Sequence, residues 1–166
     1  MKNLIVINGT MGVGKTTTSR ALQKMLPNCV FLDGDWCWDM SPFIVNEETK
    51  GMVLDNISYL LNNFLSCSVY ENIVFCWVMH EQGTLDDVLS RLDTKHSNVY
   101  KFSLVCSQKA LISRLTKDVE LGSRTNDVIN RSVPRLKNYL AMDTLPIDVS
   151  EISAKEAAEI ILKRIS

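Results

Sequence analysis

The chain has 166 residues, 46% hydrophobic and 22% charged, with a formal net charge of −1 at pH 7. That length builds one domain with a proper core and falls short of two. The near-neutral charge excludes nucleic-acid binding through a global basic field, and strand-length apolar runs predict no signal peptide and no membrane span, so a cytoplasmic location is the default expectation. Five cysteines (Cys29, Cys37, Cys67, Cys76, Cys106) form no Cys-x-x-Cys pair. Cys29, Cys76 and Cys106 fall in apolar runs and read as buried, reduced thiols.

The first predicted strand is the apolar run at residues 4–8, and residues 9–16 follow it as Gly-Thr-Met-Gly-Val-Gly-Lys-Thr. This is a complete Walker A phosphate-binding loop. Its glycines let backbone N–H groups turn inward around a polyphosphate, where a Cβ would block the approach. Lys15 is placed to reach the β- and γ-phosphates, and the Thr16 hydroxyl to ligate Mg²⁺. A helix over Thr17–Leu26 would aim its N-terminus at the same phosphates. Gly9, Thr10, Met11, Gly12, Val13, Gly14, Lys15, Thr16 and Thr17 are therefore the candidate nucleotide-binding set, for ATP with Mg²⁺. Lys15 reads as part of an exposed loop, whose loss would cost little stability.

The second predicted strand, Cys29–Asp33, runs into Gly34-Asp35 on the same rim. Successive strand residues face opposite sides, so Asp33 and Asp35 share a face if the strand continues. Phosphoryl transfer to a hydroxyl needs an orienting base for the acceptor and acidic help for Mg²⁺, and two carboxylates could divide those tasks. Trp36 and Trp38 follow directly. Asn46 opens a helical pattern through Leu65, and the third strand, Asn72–Met79, runs into His80-Glu81-Gln82 without a Walker B aspartate. Glu81 could replace that acid through a water, and His80 could touch the acceptor. Thr84 with Asp87 resembles a capping box, as does Ser153 with Glu156. The remaining strands are Val99–Cys106 and Pro146–Val149, with Ser107 capping a helix through Leu115. This alternation predicts an α/β domain with a parallel sheet covered on both faces, its ligand site at the carboxyl ends of the strands.

Gly-x-x-x-x-Gly-Lys-Thr followed by a strand ending Leu32-Asp33-Gly34-Asp35 resembles the small P-loop kinases: the gluconate, shikimate and adenylylsulfate kinases and, more distantly, the nucleoside monophosphate kinases. The resemblance spans nearly the full length, with its motifs concentrated in the first third. It implies a three-layer P-loop NTPase fold of adenylate-kinase-like type. Its parts would be a five-stranded parallel sheet, an acceptor-binding region at about 36–66 and a mobile lid at about 108–135. By position, Asp33 would support the Mg²⁺ waters and Asp35 would orient the acceptor hydroxyl. Arg114-Leu115 resembles the lid-entry arginine that packs near adenine. Arg124-Thr-Asn-Asp127, then Arg135-Leu136 and Tyr139, is similar to the post-lid segment whose arginines grip phosphate oxygens. Two features depart from the pattern: Asp118 stands where a second lid-entry arginine is expected, and Pro134 would kink a helix that is usually straight.

The resulting expectation is a kinase that transfers the γ-phosphoryl of ATP to a hydroxyl of a small molecule. Lys15, Asp35, Arg124 and Arg135 would be catalytic, and Asp35, Trp36, Trp38 and His80 would hold the acceptor. A nucleoside monophosphate kinase and a non-catalytic ATP-binding switch are the alternatives, and both a monomer and a homodimer are open. Between Asp33 and Ser90 the only Lys or Arg is Lys50, while all three tryptophans lie there. Only Lys50, His80 or a basic side chain from the lid could clamp an anion there, so a neutral or cationic hydroxyl compound, such as a nucleoside, an aminoglycoside-like sugar or another antibiotic, is expected over shikimate, gluconate or a nucleoside monophosphate.

Overall fold

The computed structural model describes residues 1–165. Its strands are β1 (Lys2–Gly9), β2 (Cys29–Asp33), β3 (Asn72–Trp77), β4 (Ser97–Val105) and β5 (Leu145–Asp148). All pair in parallel, in the order β2-β3-β1-β4-β5. The helices are α1 (Lys15–Met25), α2 (Glu47–Ser66), α3 (Gln82–Ser90), α4 (Gln108–Glu120), α5 (Asp127–Ser132), α6 (Leu136–Leu140) and α7 (Ala154–Ile165). This is the three-layer P-loop NTPase architecture, with β1 central and helices on both faces.

The two-residue period of β1 builds both layers. Leu4 and Val6 pack with Ile57 and Leu61 of α2 and Leu85 and Val88 of α3. Ile5 and Ile7 point the other way, onto Leu22 of α1 and Ala157 and Ile161 of α7. Each of these β1 side chains is at most 1% exposed, a burial that stabilises by about 1.5–3 kcal/mol apiece. A third, smaller cluster of Leu111, Leu115 and Val128 joins α4 to α5 above the sheet. Among the described residues no helix is long and apolar enough to cross a membrane.

Local chemistry sets most element ends. Asn46 and Thr49 exchange side-chain and backbone bonds across the first turn of α2. Ser107 caps α4, and Ser153 and Glu156 bond reciprocally ahead of α7. The expected Thr84–Asp87 box does not form. α3 begins earlier, at Gln82, because Glu81 already accepts the Thr84 N–H through its carbonyl and Asp87 is drawn to Arg91. Of the thiols expected to be buried, Cys76 is; Cys29 and Cys106 are half-buried, and all five cysteines are free. Pro134 breaks the expected helix into α5, a 3₁₀ turn at Val133–Arg135, and α6.

Candidate active site

The carboxyl end of β1 turns through the glycine loop into α1. Gly14 adopts φ 102°, a left-handed conformation, and α1 has no side-chain N-cap. The first-turn N–H groups are thus left for an anion. A Cβ on Gly12 would come within 2.4 Å of Leu115, so the loop can lie flat on α4 only with glycine there. Lys15 is the first residue of α1 and, contrary to expectation, is only 9% exposed. Its Nζ donates to the Thr10 carbonyl at 3.0 Å. Burial pushes the pKa of this ammonium down, against the pull of Asp35 and Asp33.

Asp33 and Asp35 do not share a strand face, because β2 stops at Asp33 and a 3₁₀ turn runs over Gly34–Trp38. The side chain of Asp33 causes that stop: Oδ1 accepts the Asp35 N–H at 3.1 Å and caps the turn. Its Oδ2 accepts the Thr16 hydroxyl at 2.6 Å. A hydroxyl and a carboxylate so paired fit Mg²⁺, which takes few protein ligands and completes its shell with water and phosphate oxygens. No cluster of three His, Cys, Asp or Glu that could hold a metal by itself occurs among the described residues. Gly34 admits the Trp77 ring, which a Cβ would meet at 2.5 Å.

Asp35 stands where two cavities meet. One, of about 330 Å³, follows the glycine loop and takes in Lys15, Thr16, Thr17, Arg114, Asp118 and Arg124. The other, of about 540 Å³, is lined by Trp38, Phe43, Trp77, Val78, His80, Arg131 and Arg135. Only Asp35 and Met11 line both. Desolvation raises the Asp35 pKa, as does the Asp33 charge, while Lys15, Arg124 and the Trp77 side chain oppose the shift.

The arginines divide between the two cavities. Arg114 donates to the carbonyls of Val13, at 3.3 Å, and Val149, at 2.5 Å, tying the loop to the exit of β5. A small cleft of about 220 Å³ lies beside it, between Thr17, Thr18, Ile152 and Ala154. Arg124 pairs with Asp118 at 3.1 Å, so the residue that departs from the family pattern positions this guanidinium at the loop. Arg131 pairs with Asp127 at 2.7 Å. No carboxylate lies within ion-pair distance of Arg135 among the described residues. Burial and then Arg135 lower the His80 pKa, against the pull of Glu81.

Several sequence-based candidates lie elsewhere. Trp36 does not line the second cavity; it packs edge-on to Phe31, with Arg20 over both rings. Glu81 stands at the start of α3 with an exposed side chain beside His80. Lys50 pairs with Glu47 on the surface. Phe43, Val78 and Arg131 are cavity residues that the sequence reading did not assign. A wider concavity, of about 830 Å³, opens at the amino ends of the strands around Lys2, Arg91 and His96, where no glycine loop or helix N-terminus faces it.

No curated protein matches the chain. Solved structures match its fold over nearly the full length. The Deinococcus radiodurans tunicamycin resistance protein is 16% identical with a TM-score of 0.65, covering 99% of this chain and 96% of its own. A gluconokinase from Sinorhizobium meliloti 1021 is 16% identical with a TM-score of 0.67, at 98% and 93% coverage. Shikimate kinase from Acinetobacter baumannii, in complex with shikimate, is 20% identical with a TM-score of 0.67, at 99% and 93% coverage. At such identities the likeness is one of fold. The model of the AAA domain family matches residues 5–131, from β1 through the glycine loop to the arginines of α4 and α5, and the chain belongs to that family.

Proposed function

We propose that this protein is an ATP-dependent small-molecule kinase that phosphorylates a hydroxyl of its acceptor. The observation that carries the reading is Asp35, a carboxyl of raised pKa bordering both the cavity of the glycine loop and an aromatic-walled cavity beside it. When bound, Mg²⁺-ATP supplies the transferable phosphoryl group. The first turn of α1 and Lys15 hold phosphate oxygens, with Thr16 and Asp33 as the metal's protein partners. Asp35 orients the acceptor hydroxyl for in-line attack and takes its proton as the new O–P bond forms and the bond from the γ-phosphorus to the β–γ bridging oxygen breaks, with ADP as the leaving group. Arg124 and Arg135 offset charge on the group in transfer. Trp38 and Phe43, with ring centroids 5.8 Å apart, offer a surface for a planar or apolar acceptor.

The acceptor's charge follows from what faces Asp35. The lid supplies the basic side chains that the region between Asp33 and Ser90 lacks, which argues against a cationic acceptor. Arg131 is paired with Asp127, and the remaining charged groups of the cavity wall are Asp35 and Arg135, one of each sign. A neutral hydroxyl compound with an apolar or planar face fits this balance best. Because Arg135 has no carboxylate partner, a singly anionic hydroxy acid is the second reading. A nucleoside monophosphate would require more cations than the cavity has free. The fold is shared by a tunicamycin resistance protein, a gluconokinase and a shikimate kinase, so it does not choose among acceptors. A panel of nucleosides, neutral sugars, aminoglycosides and hydroxy acids, scored for ATP consumption, tests the reading. Saturable turnover of a neutral member supports it, and turnover confined to hydroxy acids selects the second reading. Nucleotide binding without any acceptor-dependent consumption would leave the non-catalytic switch.

A further inference from the structure

Thr10, Ser132 and Tyr139 carry buried hydroxyls that the transfer proposed above does not use. Thr10 and Tyr139 are each 1% exposed and Ser132 is 0% exposed. Ser132 Oγ and Tyr139 Oη have no hydrogen-bond partner among the described residues. The Tyr139 hydroxyl faces that of Thr10 without completing a bond. An unpaired buried hydroxyl is unfavourable, and phenylalanine would fill the same space without it. A tyrosine at this position therefore points to a second arrangement in which the hydroxyl is paired.

The backbone explains why Thr10 reaches this far. In a continuous helix the Leu136 N–H would bond to the Ser132 carbonyl. The 3₁₀ turn at Pro134 redirects it to Val133. The freed Ser132 carbonyl instead accepts the Thr10 hydroxyl, at a stretched 3.4 Å. Thr10 thus holds two parts of the site at once, Lys15 through its carbonyl and the end of α5 through its hydroxyl. Arg131 and Arg135 ride on that same segment.

We propose that Thr10, Ser132 and Tyr139 form a polar joint coupling the arginine-bearing segment to Lys15, with Tyr139 as a positioning residue. The inference rests on the reading that Lys15 and these arginines serve the same phosphates. To reach a γ-phosphate, Lys15 must leave the Thr10 carbonyl. The joint then tightens: Tyr139 donates to Thr10, and the loop stays fixed to α5 while Lys15 moves. Burial pushes the Tyr139 phenol far above its ordinary pKa, so it remains a donor throughout the working pH range.

The test compares affinities for a non-hydrolysable Mg²⁺-ATP analogue and for Mg²⁺-ADP by calorimetry, together with melting temperature. Tyr139→Phe is expected to reduce the analogue-over-ADP preference about fivefold, the size of one hydrogen bond, while Ser132→Ala keeps the carbonyl that Thr10 uses and should leave the preference unchanged. Neither should lower the melting temperature, since each removes an unpartnered hydroxyl. An unchanged preference in Tyr139→Phe would overturn the joint and make this hydroxyl a packing group only. The readout needs no acceptor, so a failed acceptor screen removes the kinase reading without deciding this one, and the reverse also holds.

Discussion

In the proposed transfer Asp35 acts only as a carboxylate, and its surroundings disfavour that form. Its folded-state pKa is raised, so the proton it binds is held more tightly in the folded chain than in the unfolded one. That contribution to stability is complete below the unfolded pKa and is lost as pH rises through the folded one. Asp35→Asn should therefore melt at the same or a higher temperature near pH 7 while kcat falls about 10²- to 10⁴-fold, the usual worth of a general base. The acid limb of the wild-type pH–rate profile should be displaced upward and vanish in the variant. A variant that keeps the limb would assign it to another group. Asp33→Asn should act differently, raising the Mg²⁺ concentration needed for half-maximal rate, because Asp33 bonds Thr16 and not the acceptor. Lys15→Met keeps the buried stem and removes the charge. It should lower kcat about 10²- to 10³-fold, by analogy with loss of one charge-stabilising donor, and stopped-flow ATP assays would measure this.

At the scale of elements, the strands were legible because short apolar runs bounded by turn residues leave few options, and their observed ends agree to within about two residues. The caps at Asn46, Ser107 and Ser153 were legible for the same local reason. What escaped was tertiary. The side chain of Asp33 ends β2, and no periodicity shows that. Lys15 looked exposed because sequence spacing does not reveal that its side chain turns back to the Thr10 carbonyl, beside Cys76 and the two carboxylates. The charge count between Asp33 and Ser90 left lid side chains as an open exception, and α5 and the Pro134 turn bring Arg131 and Arg135 into that exception. Trp36 looked like an acceptor contact by adjacency to Asp35, yet the 3₁₀ turn rotates it toward Arg20. Arg124→Ala and Arg135→Ala should each lower kcat more than they weaken nucleotide binding, since they answer charge that develops during transfer. Equal losses in kcat and affinity would make them ground-state contacts. Asn46→Ala should cost about 1 kcal/mol in urea unfolding through loss of the α2 cap, with kcat little changed.

For the whole molecule, β1, β2 and β3 deliver the glycine loop, Asp33 with Asp35, and His80 to one rim, while α4 and α5 bring arginines over it. The same scaffold is shared by proteins named for different small molecules, so under the proposed reading the choice of acceptor would fall to side chains at the second cavity and not to the fold. Nucleotide binding should be visible before any acceptor is known: an ATP analogue at about 100 times its Kd should stabilise the folded state by about 2.7 kcal/mol. The most direct test of the central claim is phosphate transfer from ATP across the acceptor panel, run in parallel on the wild type and Asp35→Asn. The account predicts saturable phosphorylation of a hydroxyl compound by the wild type, and at least a roughly 10²-fold lower kcat in the variant at unchanged nucleotide affinity. Equal turnover by the two proteins, or ATP loss at one rate with and without every acceptor, would contradict it.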